Sequence, residues 1–386
     1  MRALVVGAGI SGLAAAIGLH QQGWQVIMVE RSPGPRRQGY MIDFFGPGYD
    51  AAEEMGLLPA ILDVGHRIAA LAYLDENGRR RAGMDFSQFA RLFDGRLTSV
   101  MRPDLEAALT EALPAEVELR YGTSIDTLVP GDDHEPAQVL LTDGTELELD
   151  VVIGADGLHS TVRDLVWGGD RLVPLGFHTA AFIVPDAPQL QAKVGNRFCL
   201  TDTVGREVGC YPIADGVAVF TVHRSTDREL PADPVATLHD TYAGLGWIVP
   251  ELLERCPAKE EIYYDLVAQS DVDQWHRGRV VLIGDACHAV SLLAGQGASL
   301  GLAGAHRLAL ALGGVSAPDQ ITEALAAYEA QWRPRTRETQ LQARKGVTWF
   351  LPAHAWQLRI RRWVLRASAL PGVARAVARS LVGKPG

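Results

Sequence analysis

Two textures of apolar and polar positions alternate along the chain. In the first, short runs that are apolar throughout stand before glycine-rich turns and helix-period stretches. That pattern suits strands buried on both faces and the helices that connect them. "RALVVGAGISGLAAAIGLHQQGWQVIMVE" opens with such a run from Ala3 to Val6 and passes through Gly7, Gly9 and Gly12. It then reads as a helix to about Gln22, stops at Gly23, and runs apolar again from Gln25 to Val29 before Glu30. "AQVLLTDGTELELDVVIGADGLHSTVRDLV" predicts a hairpin around Asp143-Gly144, a buried strand ending in Gly154-Ala155-Asp156-Gly157, and a short helix carrying Arg163. From Val280, "VVLIGDACHAVSLLAGQGASLGLAGAHRLALAL" sets a third apolar run before Gly284 and Asp285, then a glycine patch, then a helix whose one charge is Arg307.

The second texture runs from Pro174 to about Asp271. Segments such as "REVGCYPI" and "GVAVFTVHR" alternate there with one or two helices, as in an antiparallel sheet. Between the first two islands, a turn-rich loop carries Arg36 and Arg37, a short apolar segment follows, and a helix is predicted from about Tyr49. "SVMRPDLEAALTEAL" reads as a strand ending at Arg102 and a helix with Leu105, Ala108 and Leu109 on its inner face. The predicted architecture is α/β. A discontinuous Rossmann-like unit (1–72, 97–173 and 271–317) holds an inserted antiparallel-sheet unit (73–96 and 174–270), and C-terminal helices (318–386) bridge the two.

Composition narrows the function classes. The chain of 386 residues is 47% hydrophobic with a formal net charge of -10, which suits a soluble globular protein and disfavours nucleic acid as a partner. Its four cysteines, Cys199, Cys210, Cys256 and Cys287, lie far apart, with no metal-ligand spacing, so neither a metal site nor a disulfide framework is expected. The N-terminal apolar run is too short for a signal-peptide core, and a cytoplasmic location is the expectation. Charge is uneven: after Glu338 there is no acidic residue, while nine Lys and Arg follow.

The first island carries specific chemistry. In G-x-G-x-x-G spacing, Gly7 permits the tight turn, Gly9 lets a pyrophosphate approach the backbone, and Gly12 lets the helix pack on the strand. The phosphates then sit at a helix N-terminus, and Glu30 is placed to accept hydrogen bonds from a ribose. This motif suits NAD and FAD alike.

Taken together, "GAGISG" with Glu30, "GADGLHSTVR" and "GDACHAV...GQG" resemble the class A FAD-dependent monooxygenases, the aromatic and polyketide hydroxylase family, from Met1 to about Leu312. The resemblance implies a GR2-type FAD-binding domain with a para-hydroxybenzoate hydroxylase-like fold. It places Asp156 and Gly157 near FAD, gives Asp285 after Gly284 to the ribityl chain, and assigns Arg102 to a cofactor contact. Arg36 and Arg37 are cofactor-binding candidates from their own loop, or members of a solvated loop. The amides from Gly295 through Gln296 and Gly297 to Ala298 would face the pyrimidine edge of the flavin. Two positions depart from the family pattern: Leu292 stands where proline is usual, and Gly304 replaces an acidic residue.

The resemblance further implies that NADPH or NADH reduces the flavin, and that a flavin hydroperoxide passes oxygen from O2 to an apolar aromatic, phenolic or polyketide-like molecule. The cofactor then carries the chemistry, and no catalytic triad, carboxylate pair or metal site is nominated. Pocket candidates are Met41 and Asp43, then Arg206, Tyr211, Phe220 and His223 on the sheet, then Leu292, Leu293 and Ala294. His223 could deprotonate or orient a phenol, or be a satisfied structural histidine. Alternatives are a flavin dehydrogenase or reductase on the same scaffold, suggested by Leu292 and Gly304, and a flavin-bearing binding protein. A monomer or homodimer is expected.

The basic tail places Trp356, Ile360, Trp363 and Val364 near helical spacing, with Arg359, Arg362 and Arg366 on other faces. It reads as a strut whose aromatic stripe packs across the two units and whose arginines meet the acidic remainder. That remainder holds 46 acidic against 27 basic residues, 36 less the nine of the tail. A membrane surface or an acidic carrier protein is the alternative.

Overall fold

The computed structural model describes residues 1–36, 38–291 and 295–367. Arg37, Leu292, Leu293 and Ala294 lie outside the described residues.

A six-stranded sheet runs in the order His276–Arg277, Val280–Leu282, Val151–Gly154, Arg2–Val6, Gln25–Glu30, Glu118–Tyr121, and all but the first strand are parallel. Burial on both faces explains the uninterrupted apolar runs, since Ala3 to Val5, Val151 to Ile153 and Val280 to Ile283 are all fully covered. Register then decides where the motifs meet. Val6 pairs with Gly154, and Gly154 with Leu282, so three chain segments distant in sequence leave the sheet side by side at its carboxyl edge.

A seven-stranded sheet takes Tyr263–Ser270, Leu172–Pro185, Gly216–Arg224, Arg206–Ile213, Arg197–Thr201, Ala70–Leu74 and Arg80–Asp85 in that order. Alternation sorts its side chains. Val208, Cys210, Val217 and Val219 form one core with helices Pro188–Val194, Pro234–Tyr242 and Val249–Glu254. Tyr211, Ala218, Phe220 and Val222 point the other way, toward Tyr40, Met41 and Phe350. A small sheet of Met41–Phe45, Leu97–Met101 and Gly65–His66 lies between the two large ones, and a meander of Ile125–Val129, Ala137–Leu141 and Glu146–Leu149 completes the strands.

The N-terminal helix Ile10–Gln21 packs on the glycine-rich helix Gly297–Gly313 with almost no side-chain spacer. Ser11 fills a notch in which a Cβ at Gly284 or Gly301 would fall 2.3 Å from its Oγ. This close packing explains why the glycine-rich helix carries one charge: eleven of its seventeen residues are buried, and a charged side chain there would have no water.

The tail corrects the expectation in part. Helix Ala355–Ala367 does pack on the sheet unit, but through Leu358, Arg361 and Leu365, while Trp356, Ile360 and Trp363 face solvent at 56%, 48% and 71% exposure. The reason is electrostatic. Arg361 is buried and ion-paired to Asp202 and Glu207, both at 3.1 Å, with its guanidinium 4.1 Å from the centre of the Tyr73 ring. Arg362 adds a second cation on Asp202. Burying one guanidinium against two carboxylates dictates the helix's rotation, and the aromatic stripe is left outside.

Candidate functional site

At the carboxyl edge of the six-stranded sheet, the first turn is built by close backbone approach. Gly7 has φ +104°, and a Cβ there would lie 2.6 Å from the Ala155 carbonyl oxygen. A Cβ on Gly12 would lie 1.9 Å from the Gly7 oxygen, whereas at Gly9 the nearest atom is 3.7 Å away. Strand, loop and helix are therefore pressed together at Gly7 and Gly12, and Gly9 leaves an open floor. The helix beginning at Ile10 has neither a side-chain cap nor an acid in its first turn, so its amides offer an anion site.

Glu30 closes the far side. Its carboxylate accepts from the amides of Ala8 and Ser32, both at 2.9 Å, and lies 3.4 Å from Arg36. Burial works to raise its pKa, but the two amides and the Arg36 guanidinium outweigh burial and hold it below the ordinary value. These groups line a cleft of about 490 Å³ together with Arg102, Asp156, Gly157 and His159.

A second, smaller chamber of about 140 Å³ adjoins it and shares Gly9, Arg102, Ala155 and Gly157. Its walls include Tyr40, Tyr263, Asp285, Ser291, Gly295, Gly297 and Ala298. Arg102 pairs with Glu106 at 3.1 Å where the helix Arg102–Glu111 begins. Burial pushes the Asp285 carboxyl up, Arg102 counters it, and Asp265 adds to the rise. The glycine-rich helix starts beside Asp285, with a Cβ at Gly297 falling 3.9 Å from its Oδ1. With Gln296 as N-cap, no side-chain cap hydrogen bond and no acid in its first turn, this second helix N-terminus also favours negative charge.

The loop that leads there is held from behind by side chains whose local pattern gave no sign of it. Gln269 Nε2 donates to the carbonyls of Val290 and Gln340, both at 3.0 Å, and Gln340 Nε2 donates to those of Ser270 (2.9 Å) and Ala289 (3.0 Å). Ser270 Oγ donates to the Asp285 carbonyl at 2.6 Å and accepts from the Ala289 amide at 2.9 Å, while Arg344 Nε donates to Gln269 Oε1 at 2.5 Å. Arg163 ties the two later motifs together, donating to the carbonyls of Ala286 (3.0 Å) and Leu158 (2.9 Å) from a buried position. Ser291 stands at φ +87°, a left-handed conformation that costs a non-glycine residue about 1–3 kcal/mol, beside the chamber.

The remaining predicted residues separate into groups. Asp156 spends its carboxylate on the start of helix Thr161–Trp167, accepting from Ser160 Oγ (2.5 Å) and the Val162 amide (3.0 Å), so it offers the cleft mainly backbone. Met41, Tyr211 and Phe220 lie on the chamber side: the Met41 amide donates to the Tyr211 hydroxyl, and the Phe220 ring is 6.0 Å from Tyr40 and 6.5 Å from Phe350. Asp43 lies on the same small sheet and accepts from Ser99 Oγ at 2.6 Å; burial raises its pKa.

His223 and Arg206 are corrected. They pair across neighbouring strands on the opposite face, where His223 Nδ1 meets the Tyr242 hydroxyl at 3.2 Å and Arg206 donates to the Thr241 carbonyl. Strand alternation, invisible until the buried face is known, turns them away from the chamber. Gly304 also has a packing reason: a Cβ there would lie 2.7 Å from Trp332 Nε1, so the position serves the approach of helix Ile321–Phe350. His288 points away from the cleft, its ring 5.2 Å from Trp275, and burial pushes it down to about 4.

With this geometry in hand, comparison with known proteins gives the class. Residues 1–343 match the FAD binding domain family. An uncharacterized protein of Mycobacterium tuberculosis is 34% identical over 342 residues, which cover 86% of this chain and 90% of that one. A flavin-dependent monooxygenase of Legionella longbeachae is 27% identical over 316 residues, covering 80% and 79% of the two chains. The crystal structure of a tetracycline destructase superposes with a TM-score of 0.81 at 25% identity, covering 100% of this chain and 98% of that one. The chain belongs to the FAD binding domain family and, within it, to the class A FAD-dependent monooxygenases.

The residues fit FAD. The open floor at Gly9 and the uncapped helix start would suit a pyrophosphate, Glu30 lines the same cleft, and the chamber beyond Arg102 shares lining residues with it. Among the described residues no helix is long and apolar enough to cross a membrane.

Proposed function

We propose that the protein uses NADPH or NADH and molecular oxygen to hydroxylate a bulky, largely apolar aromatic, phenolic or polyketide-like molecule. One observation carries the reading: the dinucleotide cleft opens directly into a chamber whose wall continues as a run of aromatic rings, Tyr263, Tyr40, Phe220 and Phe350. When bound and reduced, FAD supplies the activation of oxygen.

The chain's own residues orient and seclude. In this reading the discontinuous unit of 1–72, 97–173 and 271–317 holds the cofactor, except that residues 70–72 and 172–173 belong to the seven-stranded sheet, which closes the substrate side. Arg102 lines both cavities and sets a positive charge where cleft and chamber meet, and Asp285 accepts from sugar hydroxyls. The rings exclude water and offer flat apolar surface to a planar ligand. Tyr40 is pushed up to about 12 by burial, so it stays a neutral phenol able to donate a hydrogen bond. Gly304 no longer speaks for the reductase alternative, because packing against Trp332 accounts for it.

Oxygen uptake with NADPH across a panel of phenolic polyketides and aromatic acids tests the reading. A compound that stimulates uptake and gains one oxygen atom is the expected result. NADPH oxidation with no oxygen incorporated, and a compound that gains two hydrogens instead, would replace it with the reductase.

A further inference from the structure

The outward face of the terminal helix Ala355–Ala367 has no part in the site. Trp356, Ile360 and Trp363 follow one another at intervals of four and three residues and form one exposed stripe, while the opposite face is locked to the sheet through Leu358, Arg361 and Leu365. The helix cannot roll to bury the stripe without pulling Arg361 from Asp202 and Glu207, a change that would strand buried charges.

The surroundings are basic, and they come from two distant segments. Arg359 and Arg366 flank the stripe on the helix. The helix packs on strand Arg80–Asp85, where Arg80, Arg81 and the preceding Arg79 are exposed, and Arg366 Nη2 donates to the Arg81 carbonyl at 3.0 Å. Against them stand Asp75, paired with Arg81 at 2.8 Å, and the exposed Glu76 and Asp85. The sequence that follows adds Arg375, Arg379 and Lys384 and no acid.

We propose that this face docks on an anionic lipid surface, with the stripe entering the headgroup layer and the arginines meeting lipid phosphates. Tryptophan beside arginine on a helix of low overall hydropathy is the composition of an interfacial helix, and thirteen residues, about 20 Å, lie on a bilayer without spanning it. A protein partner fits less well. Three side chains expose at most roughly 600 Å², below the ~800 Å² per side of a stable interface. A second copy would bring Arg359 and Arg366 against their own equivalents, with no acid after Glu338 to offset them.

The full-length FAD-loaded protein should sediment with phosphatidylglycerol-containing vesicles but not with phosphatidylcholine alone, and salt should release it. Replacing Arg79, Arg80 and Arg81 together with Gln should weaken partitioning roughly 100-fold. W356S/W363S should abolish it while the protein keeps its flavin absorbance, since both side chains are exposed. Failure to bind anionic vesicles at low salt, or undiminished binding by the tryptophan variant, would overturn the proposal. So would a dimer in sedimentation velocity that the tryptophan variant converts to monomer, because the stripe would then belong to a second copy.

Discussion

At the dinucleotide end of the cleft, Gly7, Gly9 and Gly12 shape the surface by what they lack, and most of the contacts they offer are backbone. At the chamber end, the loop from Gly284 to Ser291 is shaped by what stands behind it, a lattice of side chains from strand Tyr263–Ser270 and helix Ile321–Phe350. The first end fails by collision and the second by unmet hydrogen bonds. This difference makes the tightest contact of the first, Gly12 on Gly7, local in sequence and the second dependent on residues up to 75 apart.

The sharpest break comes at the first end. Gly12→Val would put side-chain atoms onto the Gly7 carbonyl, and backbone cannot yield as a flexible side chain does, so FAD affinity should fall by more than about 100-fold. Flavin absorbance of the purified variant measures it, and a fully yellow G12V protein would refute the account of that turn. At the other end, Gln340→Leu leaves the buried carbonyls of Ser270 and Ala289 without their donor, a loss of about 2–4 kcal/mol. Melting should occur roughly 2–5 °C lower with FAD still bound, and an unchanged melting temperature would show that the lattice does not hold the loop.

Glu30→Gln tests an intermediate case, in which a side chain serves a backbone-built site. Two amides and Arg36 favour the carboxylate, so the isosteric amide should weaken FAD by about tenfold. Titration of the apoprotein with FAD reads it out. Glu30's pKa is lowered in the fold, so its stabilising contribution is present above the ordinary value of 4.5 and is lost as pH falls through its folded pKa.

Two buried histidines act at higher pH. Burial pushes both His223 and His288 from 6.5 down to about 4. Between those values the unfolded chain binds protons that the folded chain refuses, so stability should fall as pH drops from about 6.5 toward about 4. Chemical denaturation at several pH values checks the slope, and His288→Phe should flatten part of it. The smallest effect is expected from His223→Ala on catalysis: with its side chain on the far face of the sheet, the pH profile of turnover should not move. A shifted profile would return His223 to the chemistry.

Much of the site was legible because strand, turn and helix signals coincide there. Glycine spacing, the acid at Glu30 and the apolar runs before Gly154 and Gly284 report local steric needs, and local needs are written in consecutive residues. Gln269 and Gln340 were not legible, since a glutamine on a strand or a helix has the same local signature whether it meets water or a distant carbonyl. The aromatic stripe of the tail misled for a related reason: helical spacing identifies a face but does not say which face is buried.

By itself the sequence determined that a dinucleotide turn stands at the N-terminus, that two further glycine-acid turns follow buried strands, and that an alternating sheet is inserted between them. Those conclusions follow from period, steric freedom and charge over short windows. Only the tertiary structure decided that the three turns share one sheet edge, that Phe220 faces the chamber while His223 faces away, and that Arg361 rather than Trp363 goes inside. Each of those outcomes depends on strand register or on the pairing of buried charges with partners more than a hundred residues away, and neither is written in a local pattern.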